Sequence, residues 1–219
     1  MDGAAAEPIL DITLRTLTVC GAALALSLAL GVPLGVALGA QRFPGRRTLV
    51  SMVNAGMGAP PVVVGLIVAL LLWRSGPLGA LEIMYSRSAM IAAQVLIALP
   101  LVIGITQAAV GALEEDWPLQ VQTLGIPRRW RLWLLLREIR MGLLAAVIAA
   151  MGGIVSEVGA VQMVGGNLEG ETRVLTTAIL MHTSMGEFEE AIGLATVLIG
   201  LMLILAGLLT AVQQSGRVR

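Results

Sequence analysis

The chain has no lysine, one cysteine and one histidine, and only 13% of its 219 residues are charged. Each shortage excludes something. With Cys20 alone there is no internal disulfide and no cysteine-held metal cluster; a single thiol in an apolar run reads as a small core residue. His182 is equally solitary and reads as a helix-surface or loop residue, so no metal site is expected. An enzyme in the apolar segments would need clustered acids, histidines or an activated nucleophile. Those are lacking too, and Glu157 is the one clear acid inside a span. No GxxxxGK[ST] stretch is present, which excludes ATP hydrolysis by a phosphate-cradling loop of this chain. The formal net charge of +0 points to neither nucleic acid nor a polyanionic surface. The absence of lysine is a bias of composition without mechanistic weight.

What the chain does have is apolar length. It is 57% hydrophobic, with a mean hydropathy of +0.90, whereas soluble domains carry about 25% charged residues. This is the composition of an integral membrane protein. It is a helical one, because open sheet edges leave backbone groups unpaired in lipid. Runs long enough to span, about 20 residues each, occur five times, at 14–40, 49–73, 89–113, 142–164 and 191–212. The fold expected is therefore all-α and polytopic, one transmembrane domain over 1–219. Gly31, Gly35 and Gly39 in the first span are spaced to let another helix approach closely. Gly56, Gly58, Pro60 and Pro61 predict a kink or unwound turn in the second. The N-terminal MDGAAAEPILD is acidic where a secretory signal would be basic, so the first span is expected to stay in the mature protein.

Arginine placement predicts orientation. With five spans, Arg42, Arg46, Arg47, Arg128, Arg129, Arg131, Arg137, Arg140, Arg217 and Arg219 fall on one side, ten in all, against Arg15, Arg74, Arg87 and Arg173 on the other. The positive-inside rule places the ten in the cytoplasm. The N-terminus is then outside and the C-terminus inside.

The largest cytoplasmic feature is the loop 114–140. It leaves lipid at Glu114-Glu115-Asp116 and reads as helix, glycine-permitted turn at Gly125, and helix. Trp130 and Trp133, three apart, suit headgroup anchors on an amphipathic second helix. A protruding helix pair of this kind can dock in a groove of a soluble partner; a solvated connector is the plainer alternative.

The most informative stretch runs from Gly152 to Ile179. An intramembrane carboxylate, Glu157, precedes a glycine break at Gly165-Gly166-Asn167, and a second helix restarts after Arg173. An ionisable residue in a span is a functional candidate by default. Irregular backbone at that depth survives only under protein cover or beside a water-filled cavity. Ala145, Ala149, Gly153 and Glu157 recur at i+4, with Gly152, Ser156 and Ala160 alongside, which puts Glu157 on a packed face. It is not read as an anion ligand, since two like charges 4 Å apart cost about 4 kcal/mol at an effective dielectric of 20. It is expected to accept backbone or hydroxyl hydrogen bonds or to pair with an arginine, fixing gate helices; structural packing is the alternative. The Gly165-Gly166-Asn167 backbone can turn N–H groups toward an anion, and Arg173 can add a charge for an oxyanion, unless Glu169 or Glu171 simply neutralises it. Ser156, Gly159, Thr176 and Thr177 complete the gate and pore candidates, with hydroxyl bonding to the preceding turn as the plainer role of the threonines.

Two stretches carry a resemblance. The loop resembles the coupling loop of ABC importer permeases: Gly125 matches, with Thr123-Leu124 before it and Ile126 after it, while Gln120-Val121 replace an alanine pair and Glu138 or its neighbour a terminal proline. SEVGAVQMVGGN at 156–167 and GETRVLTTAI at 170–179 are more specific and resemble tungstate-type permeases of oxyanion ABC importers. The resemblance implies the type I importer permease fold and a homodimeric channel without a cofactor in the bacterial or archaeal plasma membrane. It also implies two copies of an ATPase subunit bound through Gln120, Val121, Thr123, Leu124, Gly125 and Ile126, and an extracytoplasmic substrate-binding protein. Tungstate or a similar oxyanion would be carried inward, with molybdate, sulfate or another anion as alternatives. An ion-coupled secondary carrier is a further class, but such folds show paired broken helices in inverted repeats, which the unmatched breaks and odd span count here do not supply.

Overall fold

The computed structural model describes residues 7–113 and 117–215; the acidic exit at Glu114–Asp116 and the arginines at 217 and 219 lie outside the described residues. All regular structure among the described residues is helical: α1 Ile9–Ala40, α2 Arg46–Met57, α3 Pro61–Leu72, α4 Arg87–Gly111, α5 Trp117–Thr123, α6 Arg128–Glu138, α7 Arg140–Val155, α8 Gly159–Gly165, α9 Leu175–Met185 and α10 Phe188–Ser215, with a single 3₁₀ turn at Gly79–Leu81. Three helices, α1, α4 and α10, are each long and apolar enough to cross a membrane. Counting the bent pairs α2–α3 (103°) and α6–α7 (65°) as one span each gives five.

The centre of the bundle is α4, which packs on α1, α2, α3, α7 and α8. Its contact with α1 follows from the glycine ladder. A Cβ on Gly31 would stand 2.7 Å from Val102, one on Gly35 2.6 Å from Thr106, and one on Gly39 2.6 Å from Val110. Each pair is separated by the same number of residues, so the two helices run parallel and in register. The loss of side chains along that stripe is what allows backbones to meet, and the buried small residues Ala89, Ala93 and Ala98 of α4 extend the same economy. By contrast α10 leaves Ile199, Leu203, Ile204, Leu208 and Val212 exposed, an apolar face this single chain does not cover.

Span two breaks where its glycines and prolines predict. Gly58 ends α2, and Pro60 in extended backbone leads into Pro61 at the first position of α3, where a missing N–H costs nothing. The interval 142–164, read as one span in the sequence, is two helices. α7 stops at Val155, and α8 begins at Gly159. α8 lies close against α3: Gly65 meets Ala160 with no space for a Cβ, and a Cβ on Gly159 would stand 2.7 Å from Val62. The i+4 stripe through Ala145, Ala149 and Gly153 is likewise displaced by one position, since the residues of α7 buried in the chain are Ala146, Ala150, Ile154 and Val155. The side facing α4 decides burial, and composition alone did not single it out.

Candidate functional site: a broken span and its pinned loop

The break between α7 and α8 is built around Glu157. Its Oε1 accepts the Ala160 N–H at 2.8 Å, supplying an oxygen to the otherwise unpaired first turn of α8. Its backbone carbonyl accepts the Thr176 hydroxyl at 3.1 Å, tying the break to the start of α9. No ion pair to Glu157 forms among the described residues. Ser156 is exposed and folds its hydroxyl back onto the Gly152 and Gly153 carbonyls at 2.8 and 3.3 Å. The Ile154 carbonyl accepts the Glu157 N–H at 3.3 Å and, from α4, the buried Gln94 Nε2 at the same distance.

The second break follows α8. Gly166 has φ +71° and lies under the Tyr85 ring, and Asn167 also takes a left-handed φ of +52°. A virtual Cβ on Gly165 would be 2.9 Å from Met90. These glycines are thus required by close packing and backbone turn together. The Asn167 amide nitrogen lies 3.3 Å from Met181 Sδ. Its Oδ1 is buried without a hydrogen-bond partner among the described residues. Thr172, 1% exposed, staples the loop: its hydroxyl donates to the Gly165 carbonyl at 2.6 Å and accepts the Leu168 N–H at 2.9 Å.

From there α9 begins on Val174, whose N–H donates to the Thr177 hydroxyl at 3.1 Å, while that hydroxyl donates to the Val174 carbonyl at 3.1 Å. The Leu175 N–H donates to Thr16 Oγ1 of α1 at 2.9 Å. Thr176 and Thr177 are both buried and their hydroxyls are engaged within the chain. At its far end α9 closes on Gly186 (φ +79°), with His182 Nδ1 2.7 Å from Glu187 Oε2.

Arginines from three elements hold the outer edge of the loop. Arg173 Nη1 lies 3.5 Å from Glu169 Oε2 and 3.6 Å from Glu7 Oε2. Arg15 Nη1 lies 2.8 Å from Glu7 Oε1 and donates to the Arg173 carbonyl at 2.7 Å. Arg87, at the start of α4, donates from Nε to the Glu171 carbonyl at 2.8 Å. Glu171 therefore meets an arginine through its backbone. Ser156, Glu157, Gly159, Gly165, Gly166, Asn167, Arg173, Thr176 and Thr177 are thus brought into one connected unit of two breaks and a loop.

The six loop residues named in the sequence lie apart from it, beyond the other end of α4. Val121 is buried, while Gln120 and Thr123 are exposed and Leu124 is 74% exposed. Gly125 has φ +64°, the left-handed position that ends α5 and that glycine fills without a steric penalty. The Ile126 carbonyl accepts Arg131 Nε at 2.8 Å, bracing the start of α6. Leu135 and Ile139 seat the far end of α6 against Val110 of α4. Trp130 and Trp133 stack edge to face at 5.9 Å, with Arg137 5.2 Å above the Trp133 ring. Their exposed rings fit the headgroup role read from their spacing.

Sequence reasoning missed Glu7, Thr16, Gln94 and Thr172, and gave Arg15 no role beyond its charge. A polar residue in the middle of an apolar helix was the available signal for Gln94 and Thr16.

Comparison with known proteins gives this arrangement its family. The sequence pattern of binding-protein-dependent transport system inner membrane components matches residues 31–216. A probable anion ABC transporter permease protein of Haloferax volcanii is 40% identical over 200 residues, covering 89% of this chain and 86% of that protein. The tungstate uptake system permease protein TupB of Peptoclostridium acidaminophilum is 34% identical over 206 residues, covering 94% and 90%. A sulfate transport system permease protein CysW from Synechocystis is 31% identical, covering 72% and 59%. Among solved structures, a chain of the MetNI methionine ABC transporter in an inward-facing form superposes with a TM-score of 0.70 at 15% identity, covering 95% of both chains. The expected all-α, type I importer permease fold is the one observed. With its helical spans, its broken fourth segment and a family pattern running through most of its length, the chain belongs to the binding-protein-dependent transport system inner membrane components, the permeases of ABC importers.

Proposed function

We propose that this protein is the membrane-spanning subunit of an ATP-driven importer that carries tungstate, or a similar oxyanion, inward. The observation that carries the reading is the similarity to a tungstate permease over 94% of the chain, joined by the anion permease at 40% identity. The same stretches resemble tungstate permeases by motif, and they are the ones that form the two breaks and the pinned loop. In this reading two copies form the channel. A substrate-binding protein delivers the anion at the end where α1 and α4 begin, and that end faces outward, as the ten-to-four arginine split predicts.

ATP is hydrolysed by a separate subunit, which docks on the exposed α5–Gly125–α6 turn. Leu124, 74% exposed, is the apolar contact offered there, a short element suited to a groove. Through Leu135 and Ile139, packed on Val110, movement of that turn reaches α4 and so the helices that carry the gate. Glu157 holds the gate segments together through its hydrogen bonds, and substrate does not touch it. Uptake of labelled tungstate by the assembled transporter, challenged with molybdate, vanadate and sulfate, tests the cargo. Strong competition by molybdate and weak competition by sulfate supports tungstate-type transport. Equal inhibition by sulfate would favour a sulfate permease.

A further inference from the structure

Where the N-terminal segment meets the α8–α9 loop, two guanidinium groups and one backbone N–H converge on a single carboxylate. Glu7 Oε1 lies 2.8 Å from Arg15 Nη1 and accepts the Gly170 N–H at 3.3 Å, while Oε2 lies 3.6 Å from Arg173 Nη1. The three side chains are 7%, 6% and 13% exposed for Glu7, Arg15 and Arg173. So deep a charged cluster is rare unless its groups are well paired. This one is incompletely paired. Arg15 Nε and Arg173 Nε are buried with no hydrogen-bond partner among the described residues, and Glu7 Oε2 accepts no hydrogen bond.

The mismatch is geometric. A carboxylate has two oxygens in one plane at one end, and from its position Glu7 presents one oxygen to each arginine. Neither guanidinium fork receives a second acceptor from it. An unmade bond on a buried donor costs the full desolvation of that group. A tetrahedral oxyanion has four oxygens around its centre and suits two forks at once, since guanidinium groups bind such anions through paired N–H donors. An open groove of about 230 Å³, lined by Asp11, Leu14, Arg15, Thr18 and Arg87, reaches the cluster on the Arg15 side. The other charges facing the cluster are Glu169, 3.5 Å from Arg173 and half exposed, Asp11 in the groove wall, and Arg87, held on the Glu171 and Gly170 carbonyls. Glu7 lies outside α1, one residue ahead of the Pro8 that precedes it. It can leave without unwinding a helix.

We infer that Arg15 and Arg173 form a binding site for a tetrahedral dianionic oxyanion, and that Glu7 is the internal anion that fills this site until the oxyanion displaces it. The class of anion follows the transport reading above, on which this inference rests; the site itself follows from the donors. Displacement frees the Gly170 N–H and removes the tie between the N-terminal segment and the loop that follows the gate helix α8. Arrival of cargo is thereby linked to release of that loop.

The test uses the purified full-length permease in lipid nanodiscs. Thermal unfolding and equilibrium binding of labelled sulfate and tungstate are measured for the unaltered protein, Glu7→Ala, Glu7→Gln and Glu7→Ala/Arg15→Ala, with chloride at matched ionic strength and formate as controls. Glu7→Ala is expected to unfold at a lower temperature, to recover with millimolar tungstate or sulfate but not chloride, and to bind the oxyanion at least about tenfold more tightly than the unaltered protein. Adding Arg15→Ala is expected to abolish binding. The inference is overturned if neither Glu7 variant binds oxyanion above chloride. It is overturned equally if formate restores Glu7→Ala as well as sulfate does, or if Arg15→Ala leaves binding intact. Should Glu7→Ala fail to fold, the isosteric Glu7→Gln decides by the same readouts. Binding by the Glu7 variants together with no ATP-driven oxyanion uptake by the assembled transporter would contradict the transport reading alone. Uptake with no binding would contradict this inference alone.

Discussion

Thr172 spends both hydroxyl functions inside the loop it belongs to, donating to Gly165 and accepting from Leu168. Replacing it by valine keeps the shape and strands a buried carbonyl and a part-buried N–H. Thr172→Val should cost about 1–3 kcal/mol, read as a lowered midpoint of thermal unfolding in nanodiscs, with Thr172→Ser close to unchanged. Glu157 differs, because its bond to the Ala160 N–H needs an oxygen and no charge. Glu157→Gln should leave ATP-dependent uptake and basal ATPase rate within about twofold, whereas Glu157→Ala removes a cap worth about 1 kcal/mol. A collapse of uptake in the glutamine variant would assign the carboxylate an ionic role. Glu157 was legible in the sequence because a lone carboxylate in an apolar run is conspicuous. Thr172 and Glu7 were not, since one sits among ordinary loop residues and the other acts on partners far along the chain, Arg173 among them.

At the scale of elements, backbone-breaking residues could be read directly, and helix partners could not. Gly58, Pro60 and Pro61 end one helix and begin another where their chemistry requires it. The break after Val155 was hidden. SEVG carries no proline, and the segment that follows it packs where Gly65 of α3 meets Ala160, a tertiary contact that local preference does not announce. The glycine ladder of α1 predicted a close neighbour without saying that α4 was the one. Gly35→Val should disrupt that contact, at about 1–3 kcal/mol or more of lost stability, because a Cβ there falls 2.6 Å from Thr106. Gly21→Ala, on the same helix with nothing within 4 Å of the added carbon, should be neutral. Equal loss of folded protein in both would contradict close packing on α4 as the cause, since helix propensity favours alanine over glycine. In the α5–α6 turn, Gly125→Ala forces a side chain into φ +64° at about 1–2 kcal/mol. Its expected signature is folded permease with weakened stimulation of the partner ATPase.

The whole molecule is asymmetric in what it buries. One end carries the pinned loop and its arginines, the other the exposed turn at Leu124, and α4 connects them, packing on α1, α2, α3, α7 and α8 and meeting the end of α6 at Val110. Apolar surface on α10 is left for lipid or for a second copy. That the chain crosses a membrane several times was evident from composition. The division of labour between its ends was read from motifs, and the contacts that join them came from the fold. The account stands on transmission from the Gly125 turn through α4 to the gate segments, so that the permease moves its cargo only when a nucleotide-hydrolysing partner drives it. The direct measurement is tungstate flux in proteoliposomes holding the permease alone, or the permease with its ATPase subunits and binding protein, with and without ATP. Accumulation in the complete system with ATP, and none in the other arms, is predicted. Sustained flux through the permease alone would contradict the account.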